Sequence, residues 1–382
     1  MDLFDILSMV GGLALFLFGM NLMGEALEKK AGTRLREILG KMTSSTFKGL
    51  LLGIGITAVI QSSSATTVMV VGFVNSGLMT LHQAVGVIIG ANIGTTVTGW
   101  ILSLTGIQGD NIFVQLLNPS SFTPVLAAVG VFLYVFRKEP KNKDTGMILM
   151  GFSVLMFGMN SMSASVYGLK ESSEFQNILL MFENPFLGML AGAVLTAVIQ
   201  SSSAAVGILQ ALSVTGKITF GSAIPLVLGM NIGTCVTALL SSIGSNREAK
   251  RAAFIHLYYN SLGTIIWLSV FYMVNSFVQF DFIDDNVNQV GIAIINTVFN
   301  VLATSTLLPF SRLLEKLACR TVKEEQAHDA LSLLDEHLLK SPSVALMQCQ
   351  QATVNMAKIS IADNGSGIPD EMKPRIFDMF YS

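Results

Sequence analysis

GITAVIQSSSAT runs from Gly55 to Thr66, and VLTAVIQSSSAA runs from Val194 to Ala205, 139 positions later. The same offset carries GANIGTTVT at Gly90–Thr98 onto GMNIGTCVT at Gly229–Thr237, and FGMN at Phe18–Asn21 onto FGMN at Phe157–Asn160. Residues 47–101 align with 186–240 without a gap, with 23 identities in 55 positions. The chain therefore contains an internal duplication, and in each copy the polar motifs sit inside apolar runs.

The charges show what surrounds those runs. Only 13% of the 382 residues are charged and 51% are hydrophobic, with a mean hydropathy of +0.61. A soluble domain carries about 25% charged residues. No Lys, Arg, Asp or Glu occurs between Lys48 and Asp110, and only Lys217 occurs between Glu183 and Arg247. A membrane-spanning helix needs about 20 apolar residues, and these stretches are much longer. Residues 3–23 read as a first transmembrane helix, because they are too long for a signal-peptide core and follow an acidic start. The positive charges form no basic face, so a nucleic-acid partner is not expected. Three cysteines give no disulfide framework.

Loop charge orients the two copies. Lys and Arg mark the cytoplasmic side. They crowd the first loop (Lys29, Lys30, Arg34, Arg36, Lys41, Lys48) and are absent from residues 106–120. Arg137, Lys138, Lys141 and Lys143 return the central linker to the inside. In the second copy the matching loops reverse: residues 168–185 hold one Lys and three Glu, Arg247, Lys250 and Arg251 follow, and residues 278–289 hold three Asp. Arg312, Lys316, Arg320 and Lys323 bring the chain inside again. The expected fold is an all-α integral membrane protein of two inverted-topology repeats with interrupted helices or re-entrant hairpins. Its N-terminus is expected outside and its C-terminus in the cytoplasm. Parity adds a constraint. The segment from 48 to 106 contains two apolar runs but must cross an odd number of times, so one run crosses and the other is a hairpin. The run around QSSS suits a hairpin and the run around NIGT suits a broken helix, although Lys217 favours the reverse.

Four consecutive polar residues at membrane depth need partners, and irregular backbone is tolerated there only inside protein or along a cavity. Gln61-Ser62-Ser63-Ser64 and Gln200-Ser201-Ser202-Ser203 are the candidate site. Serine hydroxyls donate to oxyanions or offer lone pairs to cations, and helix ends add free N–H groups for anions and carbonyls for cations. The competing explanation, close helix packing by small residues, suits one serine better than two copies in register. In the NIGT motifs glycine permits an unwound turn, and Asn and Thr offer hard oxygens of the kind sodium accepts. Cys235 stands where the first copy has Thr96, and Ala205 where it has Thr66, so the second copy lacks those hydroxyls. Neither repeat core supplies an Arg or Lys to neutralise an anion, so helix ends and bound cations must do so. No carboxylate or histidine lies within the motifs to carry protons; His82 and His256 read as interfacial.

Paired QSSSATT and GANIGTTVT, with QSSSA and GMNIGTCVT, resemble the type II sodium-phosphate cotransporter family over roughly residues 5–310. The resemblance implies a sodium-coupled importer of inorganic phosphate working by alternating access, with no enzymatic activity and no cofactor beyond sodium as coupling ion. It implies that Ser62, Ser63, Ser64, Ser201, Ser202 and Ser203 bind phosphate. It likewise implies sodium ligands at Gln61, Thr66, Asn92, Thr95, Gln200, Asn231 and Thr234. The partners are then phosphate, sodium and the lipid bilayer, with a homodimer left open. Uptake of another oxyanion or a small carboxylate is the alternative within the class; a membrane sensor signalling through the C-terminal tail and a channel are alternatives outside it.

By domain, residues 1–145 form the first repeat and 146–310 the second with an extra final helix. Residues 311–358 form a cytoplasmic helical tail whose LLDEHLLKSPSVALMQCQQA resembles the start of a PhoU-like helical domain. Residues 359–382 resemble a short piece of the nucleotide-binding segment of sensor histidine kinases, with Asp363 at the adenine-contacting position of that family. About 24 residues cannot build a nucleotide pocket, and no ATP binding is expected from it.

Overall fold

A computed structural model of the chain describes residues 3–42, 45–106 and 118–323, all within one compact unit. The PhoU-like and kinase-like segments fall beyond residue 323, outside the described residues apart from the first turns of the tail.

The described chain is helical. The first copy contains α1 (Leu3–Met42), α2 (Thr46–Ile60), α3 (Ser63–Asn75), α4 (Leu81–Ser103) and α5 (Pro119–Phe136). Next come α6 (Pro140–Val166), α7 (Ser173–Met181), α8 (Pro185–Ile199), α9 (Ser202–Ser213), α10 (Phe220–Gly233) and α11 (Cys235–Ser241). The last three are α12 (Arg247–Val278), α13 (Gln289–Leu307) and α14 (Ser311–Thr321). Six stretches are long and apolar enough to cross a bilayer, or seven if α7 and α8, bent by 103°, count as one span. The protein is a multi-pass membrane protein.

Two expectations are corrected here. The basic region after residue 23 is not a loop, because α1 continues through it to Met42. Residues 24–42 contain no proline and are rich in Ala, Leu, Glu, Lys and Arg, all good helix formers. The NIGT segment of the first copy is not a broken helix either, because α4 runs unbroken through Gly94. Only the second copy is interrupted there, between α10 and α11 at Thr234.

Gly94 serves close packing instead. A Cβ on it would stand 2.7 Å from the Ile54 carbonyl oxygen of α2. The same contact recurs in the second copy, where a Cβ on Gly233 would stand 2.3 Å from the Ala193 oxygen of α8. Helices with small residues at the contact approach backbone to backbone, and α2 on α4 and α8 on α10 are built this way. A third such pair links the halves: α1 lies along α6, where a Cβ on Gly19 would meet the Leu155 nitrogen at 2.3 Å and one on Gly158 the Phe16 nitrogen at 2.3 Å. The division at residue 145 thus falls inside α6, and the copies interlock.

Candidate functional site

Each QSSS motif forms a sharp helix–break–helix. The α2 helix ends at Gln61, which adopts left-handed backbone angles (φ 62°, ψ 23°), and α8 ends at Gln200 with nearly the same angles (φ 60°, ψ 23°). Such angles are uncommon for a residue with a Cβ. The next serine caps the following helix. Ser62 Oγ accepts from Ala65 N at 3.1 Å, and Ser201 Oγ accepts from Ala204 N at 3.2 Å. A two-residue reversal thus leaves one helix by its carbonyl end and enters another by its N–H end, twice, with matching geometry.

The two breaks meet. Ser64 Oγ donates to the Gln200 carbonyl oxygen at 3.3 Å, across 136 positions of sequence. Gln61 to Ala65 and Gln200 to Ser203 line one cavity of about 340 Å³. Ser63, Ser202 and Ser203 are buried in its wall, and among the described residues their hydroxyls have no hydrogen-bond partner. Two helix N-termini and hydroxyls without partners have the chemistry that suits an anion.

The third wall comes from α1 and was not foreseen. Asn21, Glu25 and Glu28, at helical spacing, join Leu17, Met20 and Gly24 in the lining. Among the described residues, no Lys, Arg or His lines the cavity. The nearest lysines of α1 turn to α6: Lys29 Nζ lies 2.9 Å from Asp144 Oδ1, and Lys30 Nζ donates to Thr145 Oγ1 at 2.9 Å. The repeated FGMN pointed at this helix, but its second copy, on α6, does not reach the cavity. Sequence spacing alone could not bring Glu25 to the serines.

The threonine and asparagine candidates stand behind the cavity. Thr66 accepts from Thr57 Oγ1 at 3.0 Å and donates to the Ser62 carbonyl at 3.0 Å, bracing the first break. Thr98 Oγ1 donates to Gln61 Oε1 at 3.0 Å, and Gln61 Nε2 donates to the Ala58 carbonyl, so this side chain is held while that of Gln200 is exposed. In the second copy, Ala205 replaces Thr66, and the buried Thr196 hydroxyl, equivalent to that of Thr57, has no partner. Asn92, Thr95 and Thr234 bond back to the carbonyls of Ile88, Ala91 and Met230 at 3.0, 2.9 and 3.0 Å. Asn231 joins other asparagines, and none of these four residues lines the cavity.

The histidines divide. His82 is exposed and pairs with Glu315 of α14 at 2.6 Å. His256 is buried: it is 1% exposed, and neither ring nitrogen has a partner. It sits more than two turns inside α12, on the face toward Cys235, which approaches its carbonyl oxygen at 3.4 Å. No group of three or more His, Cys, Asp or Glu side chains suited to a metal ion occurs among the described residues.

Known proteins show the same pattern. The family model described as Na+/Pi-cotransporter matches residues 15–164 and again residues 155–295. The chain is 29% identical over 313 residues to the uncharacterized protein YqeW of Bacillus subtilis, covering 82% of this chain and 96% of that one. It is 25% identical over 346 residues to the putative inorganic phosphate export protein YjbB of Salmonella typhimurium, covering 89% of this chain and 61% of that one. It is 23% identical over 380 residues to the sodium-dependent phosphate transport protein 2A of Rattus norvegicus, covering 68% of this chain and 60% of that one. The chain thus spans only about three-fifths of the length of the latter two. No solved structure matches. A family model that fits twice along one chain, once over each QSSS break, leaves a single assignment: the chain belongs to the Na+/Pi-cotransporter family.

Proposed function

We propose that this protein carries inorganic phosphate across the membrane together with sodium ions, inward when the sodium gradient points inward, by alternating access. The observation that carries this reading is the shared cavity, where two helix N-termini and the free hydroxyls of Ser63, Ser202 and Ser203 face a wall that holds the Glu25 carboxylate and, among the described residues, no cationic side chain. Phosphate finds donors there but no neutralising charge. An anion beside Glu25 in a low-dielectric site is repelled unless cations enter with it. The carbonyl ends of α2 and α8, at the same breaks, are suited to such cations.

The names of relatives support phosphate as cargo, and the rat protein's name supports sodium. In topology, α2 and α3 have 15 and 13 residues. At about 1.5 Å per residue each falls short of the roughly 30 Å hydrocarbon core. The 23 residues of α4 are long enough to cross. Loop-charge parity then makes α2–α3 and α8–α9 the hairpins of two inverted repeats, joined tip to tip.

The test is uptake of radiolabelled phosphate into proteoliposomes, with sodium or choline outside. Uptake that accumulates phosphate with sodium and not with choline supports coupling, and equal uptake in both refutes it. YjbB is named a phosphate export protein, which favours a second reading, net outward flux. Efflux from preloaded vesicles that proceeds without sodium, or against its gradient, would establish that reading instead.

A further inference from the structure

The second half buries a group of polar side chains that the serine cavity does not use. Asn231 of α10 and Asn296 and Asn300 of α13 meet inside the helix packing, 6, 4 and 1% exposed. Asn300 Nδ2 lies 3.3 Å from Asn231 Oδ1, 3.0 Å from Asn296 Oδ1 and 2.8 Å from the Asn296 carbonyl oxygen. An amide nitrogen has two hydrogens, so three oxygens compete for them. The Oδ1 of Asn300 meanwhile is buried with no donor. Asn260 of α12, which contacts Cys235, also buries an Oδ1 without a partner. Buried polar atoms are nearly always paired, and inside a membrane an orphan costs more than in a water-soluble protein.

In the first copy Asn92, which matches Asn231, bonds only to its own helix. The cluster is therefore specific to the second half, and the duplicated motif does not explain it.

Neutral oxygens gathered this closely suit a small cation, and the Asn300 amide nitrogen satisfies them when the cation is absent. A half-turn of the terminal amide exchanges the nitrogen and oxygen of Asn300 with little change of shape. It would bring Asn300 Oδ1 to the place of its nitrogen, within 2.8–3.3 Å of Asn231 Oδ1, Asn296 Oδ1 and the Asn296 carbonyl oxygen. That arrangement is repulsive when empty and favourable around a cation. All of its ligands are neutral, which suits a monovalent ion better than Mg2+ or Ca2+, whose sites recruit carboxylates.

We propose that Asn231, Asn296 and Asn300 form a sodium site separate from the serine cavity, closed by the Asn300 amide when empty. The proposal rests on the sodium-coupled reading above, and to Asn231 of the NIGT motif it adds Asn296 and Asn300, which no sequence motif marks.

The test is equilibrium binding of radioactive sodium to the purified full-length protein without phosphate, alongside the sodium dependence of phosphate uptake. Asn300→Leu, similar in size but without the oxygen, should lose one bound sodium. It should also raise the sodium concentration for half-maximal uptake by about tenfold or more, the equivalent of losing one good ligand. Phosphate affinity at saturating sodium should not change. Asn300→Asp should act oppositely, binding sodium more tightly and admitting Ca2+ as an inhibitor, which damage to folding cannot imitate. If Asn300→Leu does not fold, the Asn300→Asp result decides. Sodium-dependent wild-type uptake, with sodium binding unchanged in whichever variants fold, would overturn the site and leave the coupling intact. Sodium-independent wild-type uptake would overturn both.

Discussion

Replacing Ser63 or Ser202 with alanine tests the cavity directly. Both hydroxyls are buried in its wall and have no partner among the described residues. Their removal leaves no protein group unpaired, so the folded state should be unaffected, and thermal unfolding in detergent should shift little. Binding should change considerably. A hydrogen bond to a charged group contributes about 1.5–3 kcal/mol, which is roughly a 10- to 150-fold change in affinity. Each variant should weaken phosphate binding by a factor in that range at fixed, saturating sodium, and the double variant by at least the product. Ser62→Ala is the contrasting control. Its Oγ caps α3 through Ala65 N at 3.1 Å, so its loss should lower stability by about 1 kcal/mol while changing phosphate affinity much less. Binding of radiolabelled phosphate to purified protein, paired with thermal unfolding, separates the two effects. Less than threefold weakening in both Ser63→Ala and Ser202→Ala would refute the assignment of the anion site.

Glu25→Gln removes a carboxylate from the cavity wall, so phosphate binding in sodium-free buffer should strengthen severalfold and its sodium dependence should flatten; an unchanged sodium titration would separate Glu25 from coupling. The two copies should respond oppositely to the loss of equivalent threonines. Thr57→Val breaks a hydroxyl pair and should cost about 1 kcal/mol, whereas Thr196→Val removes an orphaned hydroxyl and should be neutral or stabilising by up to about 1 kcal/mol, both read from unfolding midpoints. Gly192→Ala would place a Cβ 2.0 Å from the Leu226 carbonyl oxygen, so α8 should separate from α10, with a loss of yield and thermal stability that Gly55→Ala, in open space, should not show.

Much of the fold was legible because duplication repeats a signal. The two QSSS breaks stood out as identical polar interruptions in apolar runs, and they meet in one cavity. The membrane assignment followed from charge-free stretches far longer than a span. The failures have local causes. The extension of α1 to Met42 was hidden because its basic residues read as a loop, although they are strong helix formers. Gly94 was expected to unwind its helix, yet its lack of a side chain serves the approach of α2. Thr66, Asn92, Thr95, Asn231 and Thr234 stand outside the serine cavity, because sequence does not show which side of a helix faces it. Glu25 and Glu28 escaped notice because they reach the site only through the packing of α1 against the breaks. The Asn296–Asn300 pair lies outside every repeated motif.

The hydrogen bond from Ser64 Oγ to the Gln200 carbonyl ties the tip of one half to the tip of the other. In the proposed carrier, two tips fastened in this way would act as a common fulcrum. A carrier built on such a fulcrum cannot admit its load by pulling the tips apart without first releasing that fastening. The economical motion is a tilt of the surrounding long helices about a stationary centre, with α1 and α6 as the lever arm. Distance probes at the two ends of α6 should then swing in opposite senses during turnover, while a pair spanning the tips holds still.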